Sequence, residues 1–295
     1  MTATLIYNPS AGKDPLGVKI RSVREALDRT GISHHFQPTR SARDGTRLAQ
    51  EAVQQGSQLV IAAGGDGTIN EVVNGLVGTD VPLALVPLGT GNLAAYEFGI
   101  PRDPVQAAKA ISESRKERID VGKANGRFFL MMVSLGMDAQ ALRDAPAPLR
   151  RVLKWWAVYL TGVFCLFVRK PVAVRVSFDD KTLNPKVRLL VVSNIKGYGL
   201  PGCEMIADAS VTDGYLDLGF FKSQSVLSYL HHMRQLGRQK PVDASLLHHH
   251  TLMRVLLESD KPIPVQMDGD FFGYTPVDVS VVPQALSILT LRPER

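Results

Sequence analysis

Cysteine is scarce in this chain of 295 residues, which has two, Cys165 and Cys203. Two cysteines cannot supply the several crosslinks of a disulfide-stabilised secreted domain, and they suit a reducing compartment. A basic and apolar leader is also missing, because Met1–Thr4 runs directly into an apolar segment, so we expect a cytoplasmic protein. The sequence has neither the ligand spacing of a zinc site nor a serine-nucleophile motif. These absences argue against a zinc enzyme and against a serine hydrolase.

An apolar run long enough to cross a membrane is lacking as well. The most hydrophobic stretch is WWAVYLTGVFCLFV, Trp155–Val168. As a helix it would span about 21 Å, against a bilayer core of about 30 Å. Ordinary hydrophobic burial favours a helix inside the protein, and the alternative is an element that lies in an anionic membrane surface or binds an acyl chain. The alternative predicts peripheral membrane association, which the flanking basic residues would support: Arg150, Arg151, Lys154, Arg169 and Lys170.

The charge balance is basic, with a formal net charge of +6. The composition, with 45% hydrophobic and 21% charged residues, is typical of a globular protein. Such a charge suits nucleotide phosphates, anionic lipid or nucleic acid. Nucleic acid is the least favoured partner, because no helix-turn-helix, zinc-knuckle or aromatic RNA-binding pattern stands out. A length of 295 residues allows two domains, each with a core of its own.

A glycine-rich turn is the clearest chemical signal in the chain. Gln58–Leu76 reads QLVIAAGGDGTINEVVNGL, in which an apolar run predicts a buried strand and the later apolar residues recur at helical spacing. The glycines between them allow a ligand to approach the backbone, and the free N–H groups at the helix start favour an anion. The pattern predicts a phosphate-binding turn.

Two further polar loops follow predicted strands. Asn8–Lys13 reads NPSAGK and follows Leu5–Tyr7, while Pro87–Asn92 reads PLGTGN and follows Leu83–Val86. Ligands of open α/β sheets bind beyond the carboxyl ends of the strands, so we expect the three loops to converge on one crevice.

These motifs, in this order and separation, resemble the bacterial diacylglycerol kinase family of lipid kinases, relatives of the sphingosine kinases. The resemblance covers nearly the whole chain, because Val192–Asn194 with Tyr198–Gly199, Ala209–Asp217 and Met267–Asp270 match later motifs of that family. It implies an enzyme that transfers the γ-phosphoryl group of ATP to a hydroxyl of diacylglycerol or a related lipid alcohol. It also implies an active site in a cleft between two domains and a fold shared with NAD kinases.

The resemblance implies a set of nucleotide-binding residues. They are Asn8, Pro9, Ser10, Ala11, Gly12, Thr39, Gly64, Gly65, Asp66, Gly67, Thr68, Ile69, Asn70 and Thr90. It also implies a structural Mg²⁺ ion, held by the Asp213 carboxylate with the carbonyls of Ser210 and Tyr215, which are hard oxygen donors. Without the resemblance, Asp213 and Gly214 would be an ordinary hairpin-like pair.

Three acids are candidates for the chemistry. Asp268 and Asp270 stand where the family has Asp-Gly-Glu, the acidic pair assigned to proton abstraction, and the sequence leaves open which is the base. A plain Asp-Gly hairpin turn is the alternative. Asp66 would reach a Mg²⁺ ion or orient the acceptor hydroxyl, and it also suits the N-cap of the helix that follows it.

The periodicity of the chain predicts two domains. Residues 1–117 alternate strand and helix, which predicts a doubly wound parallel sheet, and residues 118–295 predict mainly antiparallel strands, with a hairpin at Asn125-Gly126. The resemblance implies that the second domain is a β-sandwich. The segment from Gln284 is a candidate to pack back on the first domain, and the sequence leaves the oligomeric state open, a homodimer included.

Two other functions fit parts of the pattern. An NAD kinase shares the GGDGT turn, but a soluble dinucleotide gives no reason for NPSAGK, PLGTGN or the apolar Trp155–Val168 segment. A non-catalytic lipid-binding protein of the same fold has no need for the acids Asp66, Asp268 and Asp270. We therefore expect a lipid kinase.

Overall fold

The computed structural model describes residues 1–11, 16–145, 161, 164–199, 202–237 and 247–292. The chain forms two compact units, of which the first comprises Met1–Asp120 with Gln284–Arg295 and the second comprises Val121–Pro283.

The elements of the first part of the chain are β1 (Thr2–Tyr7), α1 (Leu16–Asp28), β2 (Ser33–Pro38), α2 (Asp44–Gln54), β3 (Leu59–Gly64), α3 (Asp66–Leu76), β4 (Leu83–Pro87), α4 (Leu93–Glu97), α5 (Pro104–Ala110) with a 3₁₀ turn (Ile111–Glu113), and β5 (Arg115–Ala124). Then follow β6 (Arg127–Phe129), β7 (Met132–Gly136), α6 (Met137–Asp144), β8 (Val172–Ala173), β9 (Arg175–Phe178), β10 (Lys181–Leu183), β11 (Lys186–Val187), β12 (Leu189–Ser193), β13 (Leu216–Phe221), α7 (Val226–Gly237), β14 (Leu247–Leu252), β15 (Arg254–Glu258), β16 (Pro264–Met267), β17 (Asp270–Tyr274) and β18 (Val277–Thr290).

The first unit is built on a parallel sheet with the strand order β4-β3-β1-β2, and the end of β18 adds beside β4, where Ile288 pairs with Leu83. On one face, alternate residues of β3 pack with α1 and α5 in a buried apolar cluster. Helix α2 packs against β1 and α3 against β3, and the two helices contact each other. The predicted α/β fold is therefore confirmed.

The second unit is a pair of antiparallel sheets around a common apolar core. One sheet has the order β14-β13-β12-β7-β16-β17, and the other contains β10, β9, β15 and the start of β18, with β5 and β6 beside it. Both contribute to the core, for example Val133 and Leu190 from the first sheet and Val176 and Val279 from the second. This arrangement confirms the predicted β-sandwich.

The hairpin predicted at Asn125-Gly126 joins β5 to β6. Both turn residues have positive φ, 43° at Asn125 and 88° at Gly126, and Ala124 pairs with Arg127 across the turn. Asparagine and glycine are the residues that tolerate these angles at low cost, so this hairpin follows from local sequence alone.

The apolar stretch Trp155–Val168 is described only in part. Residues 155–160, 162 and 163 lie outside the described residues, as do Arg150, Arg151 and Lys154. Residues 164–168 are helical, with Cys165 and Leu166 buried and three exposed apolar side chains, Phe164, Phe167 and Val168. None of the helices in the described ranges is long and apolar enough to cross a membrane.

Candidate functional site

Three loops of the first unit lie together beyond the carboxyl ends of β1, β3 and β4. Asn8, directly after β1, donates its backbone N–H to the Ala63 carbonyl at 3.2 Å and its side-chain amide to Thr68 Oγ1 at 3.5 Å. On the other side, the Leu88 N–H donates to the Gly64 carbonyl at 2.9 Å. The end of β3 is thus bonded to both neighbouring loops.

The first of these loops is held by Asn8 itself. Its side-chain oxygen accepts the Ser10 N–H at 2.8 Å and its carbonyl accepts the Ala11 N–H at 3.1 Å, while Pro9 and Ser10 are exposed. Thr39, after β2, donates its N–H to the Tyr7 carbonyl at 2.8 Å, which places it next to the start of this loop. Gly12 lies outside the described residues.

Lack of space for a Cβ explains two of the glycines of the second and third loops, Gly64 and Gly89. A Cβ at Gly89 would lie 2.6 Å from the Gly65 Cα, and one at Gly64 would lie 2.5 Å from the Thr68 Cβ. Gly65 itself has φ −89° and ψ −179°, an extended conformation that any residue adopts. A Cβ there would meet the Gly89 Cα at 3.4 Å, which is an ordinary contact.

Helix α3 begins at Asp66, with Gly65 as an N-cap that carries no side-chain acceptor. Asp66 does not cap its own helix, so that alternative is wrong. Its carboxylate accepts the Ala94 N–H at 3.1 Å and the Leu93 N–H at 3.3 Å, at the start of α4. Burial raises the pKa of Asp66, and the backbone N–H donors oppose that shift. Asp66 therefore ties the second loop to the third.

The remaining candidates of the first unit differ in exposure. Thr90 is exposed on the third loop, which Asn92 closes by bonds to the Gly89 N–H at 3.0 Å and the Gly89 carbonyl at 2.8 Å. Ile69 and Asn70 are buried at 1% and 3% exposure. The side chain of Thr90 is therefore more accessible to a ligand than the side chains of Ile69 and Asn70.

In the second unit, Asp268 and Asp270 belong to the tight turn between β16 and β17. Asp268 is 4% exposed, and its carboxylate accepts three backbone N–H groups, from Leu130 at 2.8 Å and from Met131 and Met132 at 2.9 Å. Asp270 is exposed at the start of β17. The turn thus has one acid directed into the protein and one at its surface.

The backbone of residues 130–132, which bonds to Asp268, also bonds to Asn194. Asn194 belongs to another of the motifs that resemble the lipid kinase family. Asn194 follows β12, donates its side-chain amide to the Leu130 carbonyl at 3.0 Å and donates its backbone N–H to the Met131 carbonyl at 2.8 Å. Asp268 and Asn194 therefore both hold the backbone of residues 130–132 by hydrogen bonds.

The candidate metal ligands lie in a turn that contains Ser210, Asp213 and Tyr215. Asp213 is exposed and accepts the Tyr215 N–H at 3.0 Å, and Ser210 Oγ lies 3.2 Å from the Thr212 hydroxyl. No group of three or more acidic, histidine or cysteine side chains forms a metal site in the described residues. A site with one carboxylate and backbone carbonyls fits Mg²⁺, which keeps several waters when it binds proteins.

Sequence reasoning missed one half-buried acid, Asp138. Asp138 follows β7, and its carboxylate accepts the Ala139 N–H at 2.7 Å and the Tyr198 hydroxyl at 3.1 Å. Burial raises its pKa, and hydrogen bonds from Ser134, Ala139 and Tyr198 oppose the shift. The available signal was an acid two residues after a buried strand that ends in glycine.

Family models match two consecutive parts of the chain. The diacylglycerol kinase catalytic domain matches residues 2–124, and the YegS C-terminal NAD kinase beta sandwich-like domain matches residues 131–290. A crystal structure of a diacylglycerol kinase from Bacillus anthracis str. Sterne superposes with a TM-score of 0.76 at 23% identity, covering 98% of this chain and 96% of that one. That likeness shows the shared fold.

Curated proteins give a closer match in sequence. The chain is 31% identical over 278 residues to a diacylglycerol kinase of Bacillus subtilis (strain 168), covering 93% of this chain and 91% of the relative. It is 27% identical over 293 residues to a diacylglycerol kinase of Staphylococcus saprophyticus subsp. saprophyticus, covering 98% and 95%. The chain therefore belongs to the diacylglycerol kinase-like family of lipid kinases and is a kinase.

Proposed function

We propose that this kinase transfers the γ-phosphoryl group of ATP to a hydroxyl of diacylglycerol or a related lipid alcohol. The observation that carries the proposal is the group of three bonded loops at the carboxyl ends of β1, β3 and β4, in a chain of the lipid kinase family. The names of its relatives support diacylglycerol as the acceptor.

The nucleotide is assigned to the first unit. Phosphoryl transfer depends mainly on positioning the phosphates and stabilising their charge. Gly65 and Gly67 of the glycine turn are half-buried and carry no side chain that would block a ligand. The N-terminus of α3 favours an anion because its first N–H groups lack partners within the helix. Asn8–Gly12, Thr39 and Thr90 would complete the contacts.

Asp270 is the group we assign to removal of the acceptor's proton. It is exposed, whereas both carboxylate oxygens of the neighbouring Asp268 already accept backbone N–H groups. Asp268 then has the role of fixing the turn. The raised pKa and partial exposure of Asp66 suit a group that orients the hydroxyl or meets the metal bound with ATP.

A Mg²⁺ ion at the turn of Asp213, Ser210 and Tyr215 would stabilise the second unit, while Mg²⁺ bound with ATP would neutralise phosphate charge during transfer. If the assignment of the turn is right, Mg²⁺ raises the unfolding temperature of the wild type more than that of Asp213→Ala. An equal rise in both proteins would show that the turn holds no ion.

The natural setting we propose is the cytoplasmic face of an anionic membrane, where a soluble nucleotide and an embedded lipid alcohol meet. The exposed apolar side chains Phe164, Phe167 and Val168, followed by Arg169 and Lys170, support such a surface. Apolar groups beside basic ones are the combination that favours binding to anionic lipid.

An assay with labelled ATP and purified full-length protein tests the proposal. We expect label to enter phosphatidic acid when diacylglycerol is present in mixed vesicles, and not to enter NADP when NAD is the acceptor. Labelling of NAD alone would establish the rival NAD kinase function. Binding of ATP without transfer to any component of a total lipid extract would establish a non-catalytic member of the fold.

A further inference from the structure

A continuous chain of hydrogen bonds connects a half-buried acid of the second unit, Asp138, to the turn Asp268–Asp270, which we call the acidic turn. The Gly269 N–H donates to Gln266 Oε1 at 2.8 Å, and Gln266 Nε2 donates to Ser134 Oγ at 2.6 Å. The Ser134 hydroxyl donates in turn to Asp138 Oδ2. We call Gln266, Ser134 and Asp138 the polar chain.

The polar chain has a fixed direction. A serine hydroxyl has one hydrogen, so when Ser134 donates it to Asp138, its oxygen is left to accept from Gln266. That requirement orients the Gln266 amide, with its nitrogen toward Ser134 and its oxygen toward the Gly269 N–H. An ionised carboxylate at one end strengthens such bonds and polarises the bonds further along. The orientation of Gln266 thus depends on Asp138.

The surroundings make the polar chain rigid. Ser134 is 0% exposed and Gln266 is 4% exposed, and the two residues are directly paired across strands β7 and β16. A buried amide or hydroxyl that loses its hydrogen-bond partner still carries the free-energy cost of its removal from water. Other orientations of the Gln266 amide and the Ser134 hydroxyl are therefore disfavoured. Water cannot readily replace a missing member at a position that is fully buried.

The acidic turn needs such support. Asp268 and Gly269 have positive φ values of 49° and 87°, which is the geometry of a two-residue hairpin turn. Asp268 is held by residues 130–132, and the Gly269 N–H is held by Gln266. Asp270 is the next residue, so the direction of its side chain follows from these anchors.

We infer that Ser134, Gln266 and Asp138 are positioning residues, which hold the acidic turn so that its exposed acid meets the acceptor hydroxyl. The inference rests on the proposed function, in which this turn supplies the base. None of the three needs to touch the substrate.

Two variants that break the polar chain test the inference. Ser134→Ala removes the hydroxyl with little change in volume, and Gln266→Met keeps the side-chain length without the amide. Misplacing a reacting group by up to about 1 Å lowers turnover by about 10- to 100-fold. We therefore expect a loss of that size in kcat for both variants. KM for ATP and for lipid should stay within about twofold of the wild type, because none of the three residues is assigned to binding either substrate.

Two control variants keep the polar chain intact. Tyr198→Phe removes the hydroxyl that bonds to Asp138 at 3.1 Å but leaves the connection from Asp138 to the acidic turn. Ser287→Ala changes a serine of β18 that is 0% exposed and whose hydroxyl has no hydrogen-bond partner in the described part of the chain. We expect both to keep kcat within about twofold of the wild type if the connection is what matters.

The outcomes separate the inference from the function it rests on. Circular dichroism first confirms that each variant is folded at the assay temperature. An active wild type with unchanged kcat in Ser134→Ala and Gln266→Met would overturn the inference and leave the lipid kinase function standing. An equal loss in Tyr198→Phe would also overturn it, because a general disturbance of the buried polar groups would then explain the data. A wild type that phosphorylates no lipid would remove both.

Discussion

Two acids that are close in sequence occupy opposite environments at the acidic turn. Asp268 is buried against three backbone N–H groups, and Asp270 is exposed. A carboxylate whose oxygens are occupied by amides is a poor acceptor for a substrate proton, because accepting one requires that those bonds weaken. Asp270, by contrast, is open to solvent at the start of β17, where a substrate hydroxyl can approach it. This difference supports the proposal that Asp268 anchors the turn and that Asp270 accepts the proton.

Substitution by asparagine separates the two roles. Asp270→Asn should keep the stability of the wild type and lose about 10²–10⁴-fold in kcat, which is the usual contribution of a positioned base. Asp268→Asn should lower the free energy of unfolding by about 1–3 kcal/mol, because at least one amide N–H would then face a backbone N–H whichever way the side chain turns. Urea unfolding and steady-state kinetics measure both effects.

Asp260→Asn, which changes an exposed acid outside the turn, is the matched control and should alter neither quantity. Asparagine tolerates the positive φ of residue 268, so backbone strain does not complicate the comparison. Near-normal kcat in Asp270→Asn, with a large loss in a stable Asp268→Asn, would reverse the assignment.

A second residue-scale prediction concerns His249, whose Nε2 lies 2.6 Å from Oδ1 of the buried Asp217. The hydrogen bond to Asp217 raises the pKa of His249, and partial burial opposes that shift. A raised folded-state pKa means that the charged histidine stabilises the fold below its ordinary pKa of 6.5 and that this contribution is lost as the pH rises through the raised value.

Thermal unfolding of the wild type and of His249→Gln measures this contribution. The difference in stability between them should be largest near pH 5.5 and should shrink toward pH 9, because the proton that strengthens the pair is then gone. His35→Gln, at an exposed histidine of β2, is the control for the loss of a histidine as such. A difference that grows with pH would contradict the sign.

At the scale of elements, the glycine loops of the first unit distinguish two reasons for glycine. Gly89 is needed by the fold, since a Cβ would lie 2.6 Å from the Gly65 Cα and 2.8 Å from Asn92 Oδ1. Gly65 has an extended backbone and room for a Cβ at contact distance. If Gly65 is nonetheless required, the requirement must come from a ligand.

Alanine at each position tests this distinction. Gly89→Ala should cost about 1–3 kcal/mol of stability, as overpacking against backbone usually does. Gly65→Ala should unfold like the wild type but bind an ATP analogue at least tenfold more weakly in a calorimetric titration, because the methyl group would occupy the approach of the phosphates. Wild-type affinity in Gly65→Ala would show that the turn does not contact the nucleotide.

Local patterns explain how much of these elements could be predicted. The strand, turn and helix of Leu59–Leu76 and the hairpin at Asn125-Gly126 have periodicity and turn residues that act within a few positions. The five-residue helix α4 has no full period to detect, and the bonds from its N–H groups to Asp66 span 27 and 28 positions. Helix α6 has eight residues and gave no clear signal within an antiparallel pattern.

The candidate site shows the same limit. Residue types and motifs indicated Asp268 and Asp270, but they could not show which carboxylate is buried, because the partners at residues 130–132 lie 136–138 positions away. Gln266 and Ser134 are likewise 132 positions apart. Such contacts exist only after the sheet has formed, and no local pattern in a single sequence records them.

At the scale of the whole molecule, the two units carry different parts of the proposed chemistry. The first has the loops assigned to the nucleotide, and the second has the acidic turn and the segment proposed to meet lipid. In residues 164–170, Phe164, Phe167 and Val168 are 61%, 60% and 57% exposed, and Arg169 and Lys170 follow them. Exposed apolar side chains that lie close together support the interaction surface that we propose for this segment.

These exposed side chains predict that the protein binds vesicles. The protein should sediment with vesicles that contain anionic lipid and much less with zwitterionic vesicles, because each Lys or Arg near an anionic surface contributes about 1 kcal/mol. Raising salt to about 0.5 M should release much of it, since exposed charges are then screened within a few ångströms. The double variant Phe164→Ser with Phe167→Ser should bind at least tenfold more weakly, because each phenylalanine contributes about 1.5–3 kcal/mol when fully buried.

Activity measurements connect this binding to catalysis. The double variant should lose activity on vesicle-borne diacylglycerol and keep it on a short-chain soluble analogue, since the chemistry of the acidic turn is unchanged. Met253→Ser, at a 54% exposed apolar residue outside the segment, is the matched control and should leave both activities unchanged. An equal loss on both substrates would instead mean that these phenylalanines support the fold, and unchanged vesicle binding would mean that another surface of the protein meets the membrane.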